Sequence, residues 1–356
     1  AFPNRRLSDI VDCAYHALAL DDERLTFHPE LWNEHATDYK KRPLGNRLTQ
    51  VWFVGMHSNV GGGYPDDALS SVPLNWIMDK AADEGLVFLQ SERDRYRASA
   101  DYNGKMYDSR RGLGGAYRYM PRKIKALAYD VRGRNNRVIL ETPKIHESVF
   151  GRISNRILGY APIGLPETYA VVGMDGSIQP QPESPEQAKA RSHRQSKVWN
   201  LVWWKRIVYF LSVGAFGLLA AFPFYRPPTP PPYDGPLYIL SVGIGGLGAF
   251  LPGMLSPWLK AYQSHPGLFL LLLLLLVVIL ALGSQLQSKI FDQMRRIFNA
   301  PEPAAAPSGL IYRVRSNQLL KKSFKWWKEK LIPALILVVV VMFMLRGIFT
   351  LIDVSG

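Results

Sequence analysis

The block Val51-Trp52-Phe53-Val54 is continuously apolar, short and built from β-formers, which predicts a strand covered on both faces. It stops at Gly55. His57 and Ser58 follow, and Gly61-Gly62-Gly63 opens backbone conformations closed to other residues. Beyond Pro65-Asp66-Asp67 the period becomes helical, with Ser70 or Ser71 as cap and Pro73 in the first turn. Leu74, Ile77, Met78 and Ala81 share one face, and Gly85 is the stop. Residues 51–86 therefore predict strand, Gly-rich loop and crossover helix, with an imidazole at the carboxyl end of a buried parallel strand. In open α/β sheets that end is where ligands bind.

Upstream, residues 7–20 carry Ile10, Val11, Ala14 and Leu18 at helical spacing, capped by Ser8 or Asp9, and Asp21-Asp22-Glu23-Arg24 ends that predicted helix. Residues 92–127, rich in Arg, Tyr and Gly with little periodicity, suit an irregular surface excursion, a cap or entry flap. Residues 143–157 predict a short helix with Ile145, Val149 and Ile153 inward, and 169–172 a closing strand. Residues 177–197 are rich in Pro, Gln and Ser with almost no core formers and predict a linker.

Beyond residue 199 the chain alternates long apolar runs with Pro-rich or basic connectors. The runs are 207–225, 237–259, 267–283 and 331–352; the second is broken by Gly243, Gly245, Gly246, Gly248, Pro252 and Pro257, and the last contains Arg346. Trp199, Trp203, Trp204, Lys205 and Arg206 precede the first run as an aromatic and basic anchor. Three parts result: an α/β unit over 1–175 with a mostly parallel sheet and flanking helices, a linker over 176–198, and an all-α transmembrane region over 199–356.

Charge refines this division. The 43 Lys and Arg against 29 Asp and Glu give a net charge of +14 in 356 residues, a balance that nucleic-acid binders share. Here the basic residues collect beside the apolar runs, as membrane-flanking charges do, so no nucleic-acid partner is assigned. The flank before residue 207 and the connector 284–330 are both strongly basic. Positive-inside places both in the cytoplasm and requires an even number of crossings between them, which makes 237–259 the expected re-entrant or interfacial piece. The single cysteine, Cys13, excludes an internal disulfide framework and fits a reducing compartment. Ala1-Phe2-Pro3-Asn4 resembles neither a signal peptide nor a domain start, and residues 1–50 are expected to pack beside a sheet whose earlier strands precede residue 1.

His57 is the candidate general base, because an unperturbed imidazole titrates at about 6.5. The competing reading is a satisfied loop histidine. Ser58 is not a nucleophile signal, since adjacent side chains diverge, and no Gly-x-Ser-x-Gly elbow occurs anywhere in the chain. Gly61, Gly62 and Gly63 either present N–H groups to an oxyanion or permit a tight strand-to-helix path. Asp66 and Asp67 with His57 make an incomplete metal site, because Asn59 is neutral, so solvated turn carboxylates are expected and no metal or cofactor is assigned. His16 reads as structural, His146-Glu147 as a surface or capping pair. Arg346 is an expensive charge in an apolar run that faces a polar partner or snorkels.

Five blocks together carry a resemblance: AYHALALDDER (14–24), FHPELW (27–32), VWFVGMHSNVGGGY (51–64), PLNWIMDKAADEGL (73–86), and IHESVFGRI with GYAPIGLPE (145–153, 159–167). They resemble the C-terminal half of the uncharacterised α/β-hydrolase family related to type VI secretion lipase effectors, over roughly residues 1–172. The resemblance implies a partial α/β-hydrolase fold and hydrolysis of phospholipid or other carboxylic esters with His57 as base. It also implies a serine in a Gly-Phe-Ser-Arg-Gly-like elbow and an aspartate in a Trp-Asp-Thr-Val-like strand end, both upstream of Ala1. The family block carries Asp where this chain has Asn59. With the apolar runs, the expectation is an integral membrane hydrolase whose partners are the bilayer and a lipid or ester substrate, its catalytic domain cytoplasmic. Two alternatives remain open: a degenerate, non-catalytic domain that binds lipid or a partner, and a transporter built from the four runs.

Overall fold

The computed structural model describes residues 7–8, 10–22, 24, 27–34, 47–107, 122, 124, 127, 142–232, 234–299, 305–326 and scattered positions between 330 and 344. The chain divides into two compact units, residues 1–202 with 289–307, and residues 203–288 with 308–356.

The first unit is built on a mixed sheet of order β1-β2-β3-β4-β5, comprising Ala14–Ala19, Leu48–Phe53, Lys144–His146, Ala170–Val172 and Ile178–Pro180 among the described residues. The first four strands run parallel and β5 pairs antiparallel with β4. Between the sheet strands lie α1 (His57–Gly61), α2 (Ser71–Asp83) and α3 (Gln90–Ser99), then α4 (Glu147–Ser154). The sheet is covered on both faces, as the apolar block predicts. Trp52 and Val54 pack with Leu18, Leu31, Ile145, Val149 and Tyr169 on one side, while Val51 and Phe53 pack with Val72, Trp76 and Val172 on the other. β2 also reaches upstream through Thr49 and Gln50. The Gln50 amide is buried but satisfied: its oxygen accepts from the Trp32 N–H (2.9 Å) and its nitrogen donates to the Trp32 carbonyl (3.0 Å).

Residues 7–20 do not form the expected helix. Ala14–Ala19 is a strand in six-residue register with β2, and Ile10, which the helical face required to be inside, is 90% exposed. Alanine's helix propensity loses to the ladder and to burial of Leu18 and Ala19 against β2. On α2, Val72, Trp76 and Met78 face inward while Leu74 is exposed, because Trp76 fits against Phe53 (5.5 Å between ring centres) and edge-on to Tyr15 (6.1 Å). Gly85 ends the helix with a φ of 93°, as expected of a stop glycine. The excursion expected at 92–127 begins instead as α3, tied to α2 by Arg93 and Arg97 on Asp79; residues 108–121 lie outside the described residues.

The expected linker is also structured. After the β4–β5 hairpin, Ser184 caps α5 (Pro185–Ala220) through a reciprocal pair, with the Gln187 N–H on the Ser184 hydroxyl (3.3 Å) and the Ser184 N–H on the Gln187 side chain (2.9 Å). Arg191 is buried, paired with Glu183 (2.9 Å) and donating to the carbonyls of Leu165 and Pro166. Val198, Trp199 and Val202 complete a cluster with Ile163, Ile290 and Ile297. The segment reads as a linker by composition because its contacts are made by polar side chains.

In the second unit, α5 runs on from residue 203 and is followed by α6 (Phe222–Tyr225), α7 (Gly235–Leu247), α8 (Ser256–Ser264), the first part of α9 (Pro266–Asn299), α10 (Leu310–Ser316) and α11 (Gln318–Trp326). The run 237–259 is broken as its glycines and prolines predict, by two 3-10 turns at Gly248–Phe250 and Gly253–Leu255. The carbonyls of Leu218, Leu219 and Ala220 at the end of α5 accept from the Tyr225 hydroxyl, the Tyr262 hydroxyl and the Trp258 indole N–H. Among the described residues two helices, Pro185–Ala220 and Pro266–Asn299, are long and apolar enough to cross a membrane. Arg346 and most of 331–352 lie outside the described residues.

His146 is not a surface residue. It is buried, stacks on Phe53 (4.5 Å) and caps α4, its ring nitrogen accepting from the Ser148 N–H. Burial lowers its imidazole to about 4. Between the unfolded value of 6.5 and the folded value, only the unfolded chain takes up the proton. This contribution to stability is therefore complete above pH about 6.5 and declines by about 3 kcal/mol towards pH 4. In His146→Asn, which keeps a capping oxygen, the urea midpoint followed by tryptophan fluorescence will fall less steeply over that interval than in the parent. An equally steep fall in both would show that His146 does not set the acid limb.

Candidate functional site

The sheet brings two carboxyl ends side by side. β1 ends at Ala19 and its chain continues through Asp21 and Asp22, while β2 ends at Phe53 and continues through Gly55 to His57. Because β1 and β2 are adjacent and parallel, the two loops emerge together. The Asp21 carboxylate accepts from the Gly55 N–H (2.7 Å) and from the Tyr160 hydroxyl (2.8 Å). The Asp22 carboxylate accepts from the His57 N–H (3.0 Å) and holds Arg24 by its backbone N–H (3.0 Å), Nε (3.1 Å) and Nη2 (2.8 Å).

Asp22 is completely buried. Burial by itself would raise its pKa, but the Arg24 side chain, the N–H groups of Arg24 and His57 and the Arg122 charge outweigh burial and hold it below the ordinary carboxylate value. Arg122 is buried too, donates to the carbonyls of Ala19 and Phe27, and is lowered to about 10 by burial against the pull of Asp22 and Asp21.

The chain of contacts returns to His57. The Arg24 guanidinium lies 3.7 Å from the centre of the Phe27 ring, and Phe27 meets the His57 imidazole edge-on at 5.1 Å. Asp22, Arg24, Phe27 and His57 thus form a closed circuit that fixes the histidine backbone from below and its ring from the side. His57 itself is exposed, at the first position of α1, and among the described residues no side chain hydrogen-bonds its imidazole.

Gly55 has a φ of 110°, and a Cβ there would stand 2.4 Å from that of Asn59, so only glycine fits. Asn59 is buried and accepts the Met56 N–H (3.0 Å), a task that needs an oxygen and no charge. Gly61 closes α1, whereas Gly62 and Gly63 have φ of 85° and 104°, which accounts for glycine at both. Tyr64 then stacks on Tyr107 (4.2 Å), over which Lys105 sits at 4.4 Å, bringing residues 105–107 beside the glycine run.

The other sequence candidates separate from this site. Ser58 is half-buried on α1. Asp66 and Asp67 are exposed turn residues, the Asp66 side chain accepting the Ala68 N–H and the Asp67 carbonyl the Ser70 hydroxyl. His16 lies on β1 beside Gln50 (3.4 Å), its pKa lowered by burial. His146 and Glu147 belong to the start of α4. Among the described residues no three His, Cys, Asp or Glu side chains gather as a metal site. An open depression on α9 lined by Asp292, Arg295, Arg296 and Asn299 shares no residue with the His57 circuit. Sequence reasoning missed Asp21 and Asp22, which stand two and three residues past an apolar strand, a position read instead as a helix end.

Residues 1–80 match the catalytic-domain model of the type VI secretion phospholipase effectors described as Tle1-like. The match takes in β1, both aspartates, β2, His57, the glycine run and most of α2. No curated protein and no solved structure matches the chain. The Tle1-like segment therefore includes all of Asp22, Arg24, Phe27 and His57, while Arg122 and Tyr160 lie outside it.

Asp22→Asn will lower stability at pH 7 by a few kcal/mol, reduced from the full cost of breaking a buried pair because Arg24 is partly open to water. The sign with pH follows from the lowered folded-state value. The Asp22 contribution is complete above about pH 4, declines as pH falls below that value and is gone once pH has passed the lowered folded-state value. Urea titrations of parent and variant will accordingly converge in acid. A difference that stays constant down to pH 2 would show that the charge of Asp22 is not what stabilises the loop.

Proposed function

We propose that this chain carries the histidine arm and membrane anchor of a serine hydrolase of the α/β-hydrolase type, a phospholipase or carboxylesterase. The observation that carries the reading is His57 itself, an exposed imidazole at the carboxyl end of a buried parallel strand, inside the Tle1-like segment. In the proposed reaction His57 takes the hydroxyl proton of a serine as that oxygen attacks the ester carbonyl. It then gives the proton to the departing alcohol, and water repeats the cycle on the acyl-enzyme. The serine and the carboxylate that orients the imidazole come from upstream residues, consistent with the lack of an elbow in residues 1–356. The loop carrying Gly61, Gly62 and Gly63 borders the substrate.

The anchor reading rests on the exposed apolar surfaces of α5 and α9, among them Leu211, Phe216 and Leu218 on one and Leu271, Leu274 and Val277 on the other. In this reading Pro185–Ala220 and Pro266–Asn299 are the crossings between the basic flanks, the broken run 237–259 does not cross, and positive-inside would put the hydrolase unit on the cytoplasmic side. A second reading, a non-catalytic domain that binds lipid or a partner, separates in the same assay.

The assay uses a polypeptide with the residues preceding Ala1, presented with phospholipid and with short- and long-chain esters. His57→Ala will reduce kcat by about four orders of magnitude or more with little change in KM. Undiminished turnover would sink the assignment of His57, and no turnover in the parent would favour the binding reading.

A further inference from the structure

The segment 305–326 is charged in one sense only. It holds Arg313, Arg315, Lys321, Lys322 and Lys325 and no Asp or Glu. It folds as two short helices, α10 and α11, and the second is well started, since the Asn317 side chain accepts the N–H groups of Leu319 (2.9 Å) and Leu320 (3.3 Å). At about 100° per residue, Leu319, Leu320, Ser323 and Trp326 fall on one arc of α11 and positions 321, 322 and 325 on the opposite arc. The apolar arc is not covered: Leu319 is 76%, Leu320 44% and Trp326 56% exposed, and Leu310 at the start of α10 is 75% exposed.

We propose that α10 and α11 lie in the plane of the bilayer as a docking surface for anionic phospholipid, resting on the membrane anchor inferred above. A basic arc opposite an apolar arc is the arrangement that sinks one side into the acyl boundary and leaves the other at the headgroups. Trp326 belongs at that level, because indole prefers the interface, and the next apolar run in the sequence begins at Leu331. A nucleic acid would satisfy the lysines but leave Leu319, Leu320 and Trp326 in water. An anionic leaflet satisfies both arcs. The surface would seat the chain preferentially in leaflets rich in negative lipid.

The test uses the full chain with Cys13→Ser and Ser323→Cys, labelled with a polarity-sensitive fluorophore and reconstituted in vesicles of phosphatidylcholine alone or mixed with phosphatidylglycerol. The label will emit at shorter wavelength in the mixed vesicles. The shift will be lost near 1 M salt, where screening extends only about 3 Å. It will also be lost in Lys321→Gln/Lys322→Gln/Lys325→Gln, since each lysine near an anionic surface contributes about fivefold and the three together roughly a hundredfold. Equal emission in the two kinds of vesicle, or a shift that survives in the triple variant, overturns the proposal while leaving the anchor intact. Release of the labelled chain from both vesicle types by alkaline carbonate overturns the anchor and the docking surface together.

Discussion

A buried carboxylate at the end of β1 is the constraint on which the candidate site depends. The loop after β2 must leave the sheet abruptly at Gly55, and its first N–H groups have no ladder partner. Asp21 and Asp22 supply the acceptors, one to Gly55 and the other to His57. Removing a carboxylate from water costs several kcal/mol. Asp22 offsets that cost through Arg24, whose Nε, Nη2 and backbone N–H all donate to it, together with the nearby Arg122 charge. The result is a histidine whose backbone is tied to the neighbouring strand and whose ring rests against Phe27 but stays open to solvent. A base that must meet a substrate needs that combination of fixed origin and accessible ring.

How much of this is legible without coordinates differs from element to element. β2 and α2 are plain because an unbroken run of β-formers and a Ser-x-x-Pro start each have one dominant local reading, whereas the stretch between them reads as a loop and its first part, His57–Gly61, is the short helix α1. β1 is not, because Ala14, Ala17 and Ala19 favour helix and the spacing of Leu18 with Ala14 and Val11 fits one; only pairing with β2 decides otherwise. Asp21 and Asp22 are hidden by that same error. At a helix end two acidic residues look solvated, whereas past a buried parallel strand they stand at the edge where open α/β sheets bind ligands. Ser184-Pro185-Glu186-Gln187 was readable as a capped helix start, but the lack of apolar residues up to Val198 concealed what Arg191 and Gln195 do with hydrogen bonds to Leu165.

The long helices pose a different question. Along α5 the surroundings change: Ala188, Val198 and Val202 are buried by protein, whereas Leu211, Phe216 and Leu218 are half or more exposed. At about 25 cal/mol per Å² of apolar surface, leaving such a band in water would be costly, and α9 presents a second one from Leu270 to Leu282. Exposure of this kind admits a lipid surrounding or a protein partner.

The end of α5 is built for either. The last carbonyls of a helix normally face water, which is an adequate acceptor partner and needs no design. Here Gly217 is taken by the Ala221 N–H, and Leu218, Leu219 and Ala220 each receive a side-chain donor, from Tyr225, Tyr262 and Trp258. Leu219, Phe222, Trp258 and Ala261 are buried around this helix end, so its carbonyls are turned from water by protein and need these donors. In hydrocarbon, where each unpaired carbonyl costs several kcal/mol, they are required. Because Tyr and Trp carry their donor on an apolar body, the same side chains satisfy the helix end and remain compatible with lipid around them. Closure of this helix end concerns the polar groups of the apolar segment and not its side-chain composition, and it suits a lipid and a protein surrounding alike.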